Sequence, residues 1–135
     1  MEIVGIGTEI VECLRIGRMI EQHGELFLAR VYTEREIRYC QARKHATEHF
    51  AGRWAAKEAV LKCLGTGWRR GQSWTDVEVR SDAQGKPQVL VCGPAKERVV
   101  QLRITDIMLS ISHCRAYATA YAVAVRQTPP NGDKT

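Results

Sequence analysis

The spacing of apolar positions runs from strand-like to helical and back again along the chain. Met1 to Gly7 is rich in β-branched residues and closes on glycine, which predicts a buried strand entering a tight turn. From Ile10 to Gln22 the apolar positions Ile10, Leu14, Ile16, Met19 and Ile20 recur near helical spacing, with Gly24 as the stop. Arg15 and Arg18 fall on the polar side of that helix. Thr33-Glu-Arg-Glu36 is a capping box and should open a helix running to about Ala42. A longer, alanine-rich helix is expected from about His45 to Leu64, closed by Gly65 in a left-handed cap. Gly52 inside it costs about 1 kcal/mol relative to alanine, which implies either close packing against a neighbouring backbone or simple tolerance.

Beyond the glycine-rich, basic loop from Gly65 to Gly71 the period shortens. Ser73 to Arg80 alternates as a half-exposed strand, Asp82 to Pro87 is turn chemistry, and Val89 to Cys92 answers as the returning strand. Pro94 suits the first turn of a short helix ending near Leu102. Ile107 to Ser112 and Ala116 to Val125 are two further strands joined around His113-Cys114-Arg115. Helices gathered early and hairpins late define an α+β domain with antiparallel strands around a long central helix.

Length and composition narrow the class. At 135 residues, 44% hydrophobic and 26% charged, the chain suits one globular domain, placed at residues 1–126, with a polar, disordered tail over 127–135. No apolar run reaches the roughly 18–20 residues of a membrane span, and no secretory pattern opens the chain, so a cytoplasmic protein without a membrane partner is expected. The five cysteines lie far apart and read mostly as small buried hydrophobes in a reducing compartment. A net charge of +5 suits anionic partners such as phosphates, acidic proteins or nucleic acid. No basic and aromatic stripe supports nucleic acid among these.

Candidate chemistry concentrates on the long helix. Glu58 and Lys62 are four residues apart and share a helical face; the ordinary meaning of such a pair is an exposed ion pair worth a few tenths of a kcal/mol. Here the pair lies within two turns of the glycine-rich loop, where a carboxylate could hold Mg²⁺ and the lysine could neutralise a phosphate oxygen. Glu9, just past Gly5-Ile-Gly7, is a second carboxylate, though alone it would be a solvated turn residue. His45-Ala-Thr-Glu-His49 has the H-x-x-E-H form of inverted zinc peptidases, but those need a further ligand and a substrate cleft, and its surroundings look like a charged helix start. His113, at a strand end, is either a satisfied polar residue or a phosphate donor. It follows Ser112 without a visible third partner for a hydrolase triad.

Several segments together resemble the 4′-phosphopantetheinyl transferases of the short, acyl-carrier-protein synthase type. They are Gly5-Ile-Gly-Thr-Glu-Ile10, Phe27 to Thr33, Ala51-Gly-Arg-Trp-Ala-Ala-Lys-Glu-Ala59 with Lys62 and Gly65, Trp74 to Val79, Gly85-Lys-Pro87 and Ser110-Ile-Ser-His113. The resemblance implies transfer of phosphopantetheine from coenzyme A to a serine of apo acyl carrier protein. It also implies Mg²⁺ (with Mn²⁺ as an alternative) on Glu9 and Glu58, and a role for Lys62 against developing charge. Arg53 and His113 would meet the 3′-phosphate, Gly85, Lys86 and Pro87 would line the adenine pocket, and Lys62 and Gly65 would complete the coenzyme site. Arg15, Arg18 and Arg30 would dock the acidic carrier, and the chain would form a trimer with active sites between subunits.

Two positions depart from the pattern. Glu9 stands where relatives carry aspartate, and its extra methylene moves the carboxylate by about 1.5 Å. That motivates a rival reading, a non-catalytic member of the fold that binds coenzyme A or a carrier. Leu26 stands where relatives often carry a basic residue, which bears on carrier choice.

Overall fold

The computed structural model describes residues 1–65 and 73–128. The elements are β1 (Glu2–Glu12), α1 (Cys13–His23), α2 (Glu25–Val31), α3 (Glu34–Gln41), α4 (Ala46–Cys63), a 3₁₀ turn (Trp74–Asp76), β2 (Val77–Ser81), β3 (Pro87–Val91), α5 (Gly93–Gln101), β4 (Asp106–His113) and β5 (Tyr117–Arg126). Both sheets are antiparallel: β1–β5–β4, and the hairpin β2–β3. The expected α+β class and central helix hold.

Small residues let α4 lie directly on the three-stranded sheet. Ala118, Ala120, Ala122 and Ala124 alternate along β5 and are fully buried, as are Ala51, Ala55 and Ala59 of the helix. On β1 the approach is closer still. A Cβ at Gly5 would stand 1.9 Å from the Cys63 carbonyl oxygen, and one at Gly7 1.9 Å from that of Ala59. The G-x-G at the start of the chain is therefore the footprint of a helix backbone. The other sides of α4 meet α1, α3 and β2, so the helix is buried nearly all round and has no polar stripe.

The capping box forms as expected: Glu36 N–H donates to Thr33 Oγ1 at 3.2 Å, and Thr33 N–H donates to Glu36 Oε1 at 2.9 Å. Gly24 ends α1, and Gly65 takes the left-handed conformation (φ 73°) after α4. Gly85 does the same (φ 86°) in the hairpin turn, where Asp82 Oδ1 accepts from the N–H groups of Gln84 and Lys86.

Three elements differ from the sequence expectation. Ile10 and Val11 belong to β1 rather than to the first helix, because the long strand β5 carries the ladder on through Ile10↔Thr119 and Val11↔Ala118. α2 was not expected; seven residues are too few for a helical period to emerge. Trp74–Asp76 is a 3₁₀ turn rather than strand, because Ser73 and Asp76 cap one another and delay β2 to Val77. Residues 66–72 of the glycine-rich loop and 129–135 of the expected tail lie outside the described residues.

Candidate active site

Glu9 lies on β1 in register with Ala120, on the strand face that carries Gly7 and Val11. The close seat at Gly5 and Gly7 brings the last two turns of α4 beside this strand. Lys62 then spans the gap: Nζ donates to Glu9 Oε1 at 2.5 Å and to the Thr8 carbonyl at 3.0 Å. Glu9 is largely sheltered, with 18% of its side chain exposed, whereas Lys62 keeps 54%. Glu58, partly buried, lies one turn before Lys62 on the same helical face. Glu58 and Lys62 therefore form more than an exposed intrahelical pair: Lys62 ties the helix to the β1 carboxylate. Glu9 and Glu58, each a neighbour of Lys62, could supply hard oxygen ligands of the kind that suit Mg²⁺ when phosphate oxygens complete the shell.

The neighbouring lysine has a different task. Lys57 is fully buried, paired with the equally buried Glu36 at 2.8 Å, and it also donates to the carbonyls of Trp74 and Val77. Glu36 Oε2 accepts from Val79 N–H at 2.7 Å. Burial pushes the Lys57 pKa down against the opposing pull of the Glu36 carboxylate. This pair staples α3, α4 and β2 together. Sequence reading missed it, because Glu36 was already accounted for as a capping residue and nothing local connects it to Lys57.

Arg53, 5% exposed, sits on the flank of α4 that faces the hairpin. Its Nη2 donates to Ser81 Oγ at 3.2 Å, its guanidinium lies 3.9 Å over the Tyr39 ring, and its buried Nε has no protein partner. Ser81 pairs with Pro87 across the hairpin, so Arg53 meets the base of the turn that carries Gly85, Lys86 and Pro87. A cavity of about 190 Å³ opens here, lined by Arg35, Tyr39, Arg53, Val79, Arg80 and Ser81. Three arginines around one hollow give it the charge and the donors that suit an anion. Arg35, Tyr39 and Arg80 were not singled out by sequence; their spacing carries no pattern until the hairpin folds against α3 and α4.

His113 ends β4 at the opposite end of α4, 3.1 Å from Glu48 and edge-on to His49 at 4.8 Å. β5 separates β1 from β4, so Glu9 and His113 are about 10 Å apart by strand spacing alone, with α4 lying between them. One chain does not unite them. Of the histidines of H-x-x-E-H, His49 packs between Tyr39 and His113, and among the described residues no three His, Cys, Asp or Glu side chains cluster as metal ligands.

Arg15, Arg18 and Arg30, expected to meet an acidic carrier, are exposed on α1 and α2, with Arg15 also 5.5 Å over the Trp54 ring. Beside them Met19, His23, Leu26, Phe27 and Arg30 line a cavity of about 290 Å³, and Leu26 is 81% exposed.

A compact α+β domain with an acid–lysine edge and an arginine-lined hollow belongs to an identifiable class. The chain is a member of the 4′-phosphopantetheinyl transferase superfamily, whose pattern matches residues 5–125. Among its relatives, the holo-[acyl-carrier-protein] synthase of Rhodopirellula baltica is 49% identical over 123 residues, which are 91% of this chain and 98% of that protein. The crystal structure of the holo-[acyl-carrier-protein] synthase from Neisseria meningitidis superposes with a TM-score of 0.82 at 34% identity, covering 92% of this chain and 99% of that one. The Bacillus anthracis holo-(acyl-carrier-protein) synthase, solved in complex with CoA (3′,5′-ADP), gives 0.77 at 36% identity over 94% and 100%.

Proposed function

We propose that this chain transfers 4′-phosphopantetheine from coenzyme A to a serine hydroxyl of an apo acyl carrier protein, releasing adenosine 3′,5′-bisphosphate. The observation that carries the reading is the Lys62–Glu9 contact with Glu58 one turn away, on a fold shared over nearly its whole length with holo-[acyl-carrier-protein] synthases. The serine oxygen attacks the pantetheine-bearing phosphorus, the pyrophosphate P–O bond breaks, and the negative charge leaves on the 5′-phosphate of the nucleotide. Such a reaction asks the protein mainly for position and charge. Lys62, held at the mouth of the site by the Thr8 carbonyl and Glu9, neutralises the leaving oxygen. Glu9 and Glu58 would hold Mg²⁺, which when bound neutralises the pyrophosphate. Of the two Glu9 oxygens, Oε1 accepts from Lys62. The serine proton leaves to a group of this cluster, Glu58 among them.

Arg53, with Arg35 and Arg80 around the hollow, would take the nucleotide's phosphate, and Gly85, Lys86 and Pro87 its adenine. His113 would donate to the 3′-phosphate, and Gly65 would leave room beside the coenzyme. The 3′-phosphate and the pyrophosphate leave the same ribose, so one ligand does not reach His113 and Lys62 of one chain around the body of α4. A site completed by a second copy resolves this. The outer face of the three-stranded sheet supports such assembly: Ile6 (64% exposed), Ile10 (60%) and Tyr121 (58%) share it with Met108 and Tyr117. We therefore read the protein as a trimer joined through this face.

The acidic carrier would dock at Arg15, Arg18 and Arg30, with an apolar side chain in the cavity beside Leu26. The reaction belongs in the cytoplasm, a reading supported by five unpaired cysteines. Among the described residues no helix is long and apolar enough to cross a membrane.

The deciding experiment is intact-mass spectrometry of an apo acyl carrier protein incubated with this protein, coenzyme A and Mg²⁺. A gain of one phosphopantetheine, lost in Glu58→Ala, supports the proposal. No gain with several carriers, in Mg²⁺ or Mn²⁺, overturns it in favour of a binding role.

A further inference from the structure

The first two turns of α4 close around the His113 ring from three sides. Glu48 Oε1 stands 3.1 Å from Nδ1, the two side chains being 19% and 27% exposed. His49 meets the ring at 4.8 Å between centroids and 68° between planes. Gly52 brings the helix close to the end of β4: a Cβ there would lie 3.1 Å from Ile111 Cγ2 and in ordinary contact, at 3.7 Å, with His113 Cδ2. The neighbour of the mid-helix glycine is thus the side chain of Ile111, not a backbone.

A carboxylate on one imidazole nitrogen fixes where the proton sits. Nδ1 donates to Glu48, which aims Nε2 away from the carboxylate and leaves it for a ligand. The same arrangement, a carboxylate behind a ligand-binding histidine, fixes ring orientation in metal sites. The groups acting on this ring are Glu48 and His49 of α4, with Cys13 of α1 close to the same carboxylate and Cys114 close to Cys13. Burial, then the charges of His113, Arg53 and Arg43, hold the His49 pKa below its ordinary value. His49 therefore stays neutral and adds no competing cation.

We infer that Glu48 is a positioning residue for phosphate recognition: it holds His113 in one orientation with Nε2 aimed at the coenzyme's 3′-phosphate, while His49 packs edge-on against the ring. The inference rests on the proposed contact between His113 and that phosphate, and it gives Glu48 a role in choosing between coenzymes with and without a 3′-phosphate.

The test compares coenzyme A with 3′-dephospho-coenzyme A in steady-state kinetics of Glu48→Gln, His113→Ala and the double variant. ¹⁵N NMR of the His113 ring in Glu48→Gln, which reports the nitrogen that carries hydrogen, accompanies it. Glu48→Gln keeps the shape and a hydrogen bond but removes the charge, and its amide can donate as well as accept, so it no longer fixes the ring. It is expected to raise KM for coenzyme A about five- to tenfold with kcat nearly unchanged, the size of one lost charge-assisted contact. KM for the dephospho form should hardly move, hydrogen should redistribute between the two His113 nitrogens, and Glu48→Gln should add nothing in the His113→Ala background. Discrimination by His113→Ala without any effect of Glu48→Gln on KM or on the His113 ring signals overturns the proposal alone. Changed ring signals, with neither variant telling the two coenzymes apart, overturn the phosphate contact and the inference with it.

Discussion

Lys62 Nζ lies 2.5 Å from Glu9 Oε1, joining the last turn of α4 to β1 across the closest helix–strand seat in the fold. Neither residue would reach the other if Gly5 or Gly7 carried a side chain. In the proposed reaction this contact keeps a cation where charge develops. Lys62→Ala is therefore expected to lower kcat about 10²-fold while leaving KM for the carrier within a small factor. Glu9→Ala should raise the Mg²⁺ concentration needed for half-maximal rate, read from a metal titration. A many-fold gain in rate for Glu9→Asp would show that the longer side chain holds the metal poorly.

Gly7→Ala would place a methyl carbon 1.9 Å from the Ala59 carbonyl oxygen and 2.8 Å from the Cys63 nitrogen. Both are backbone atoms of a buried helix and cannot rotate away, so α4 must lift from the sheet. Overpacking of this kind costs roughly 3 kcal/mol or more, a fall in melting temperature of about 10 °C for a domain of this size. Gly17→Ala is the contrasting control. Its Cβ meets only Thr47 Cγ2, at 3.4 Å, and alanine favours the helix, so a small gain is expected by the same thermal scan.

The buried Lys57–Glu36 pair should behave asymmetrically. Removing the carboxylate with Glu36→Ala leaves an ammonium uncompensated among carbonyls and should cost about 3–5 kcal/mol in urea unfolding. Glu36→Gln, which keeps an acceptor for Val79 N–H, should cost less. A jointly apolar replacement of both residues should recover part of the loss, since the pair's desolvation cost disappears with it.

His49 gives stability a pH dependence. Its folded pKa lies below the ordinary 6.5, through burial and then the nearby positive charges of His113, Arg53 and Arg43. On acidification the unfolded chain therefore takes up a proton before the folded one does. Stability is full above pH 6.5 and declines as pH falls through the folded value. His49→Phe should flatten that decline while keeping the ring packing against Tyr39, as seen in chemical unfolding at a series of pH values.

The outer face of the three-stranded sheet should carry the assembly. Sedimentation of the native protein is expected to give three times the 15.2 kDa of one chain. Tyr121→Glu, at the centre of that face beside Thr8 and Ser110, should yield folded monomers. Those monomers should lose transfer activity if Lys62 and His113 act from different subunits.

Much of this fold was legible because its signals are local. The capping box at Thr33 and Glu36, the left-handed caps at Gly65 and Gly85 and the turn at Asp82 each rest on bonds within about five residues. The alanine-rich run of α4 and the alternation along β5 likewise announce their elements. At the first helix a local pattern misled, and a distant partner was the cause. Ile10 has helical spacing with Leu14, yet β5 offers it a ladder position opposite Thr119.

The candidate site divides along the same line. The chain's own order places Glu58 and Lys62 on one face, because a helix brings residues four apart together. The meeting of Lys62 with Glu9, of Arg53 with Ser81 and the hairpin, and of Glu48 with His113 spans separations of 53, 28 and 65 residues. No periodicity encodes such pairs. They follow from how α4 settles against β1, β4 and the hairpin, and on β1 that distance is set by what is missing at Gly5 and Gly7. A glycine in the sequence announces that a side chain is absent. Only the packed structure decides which backbone fills the space.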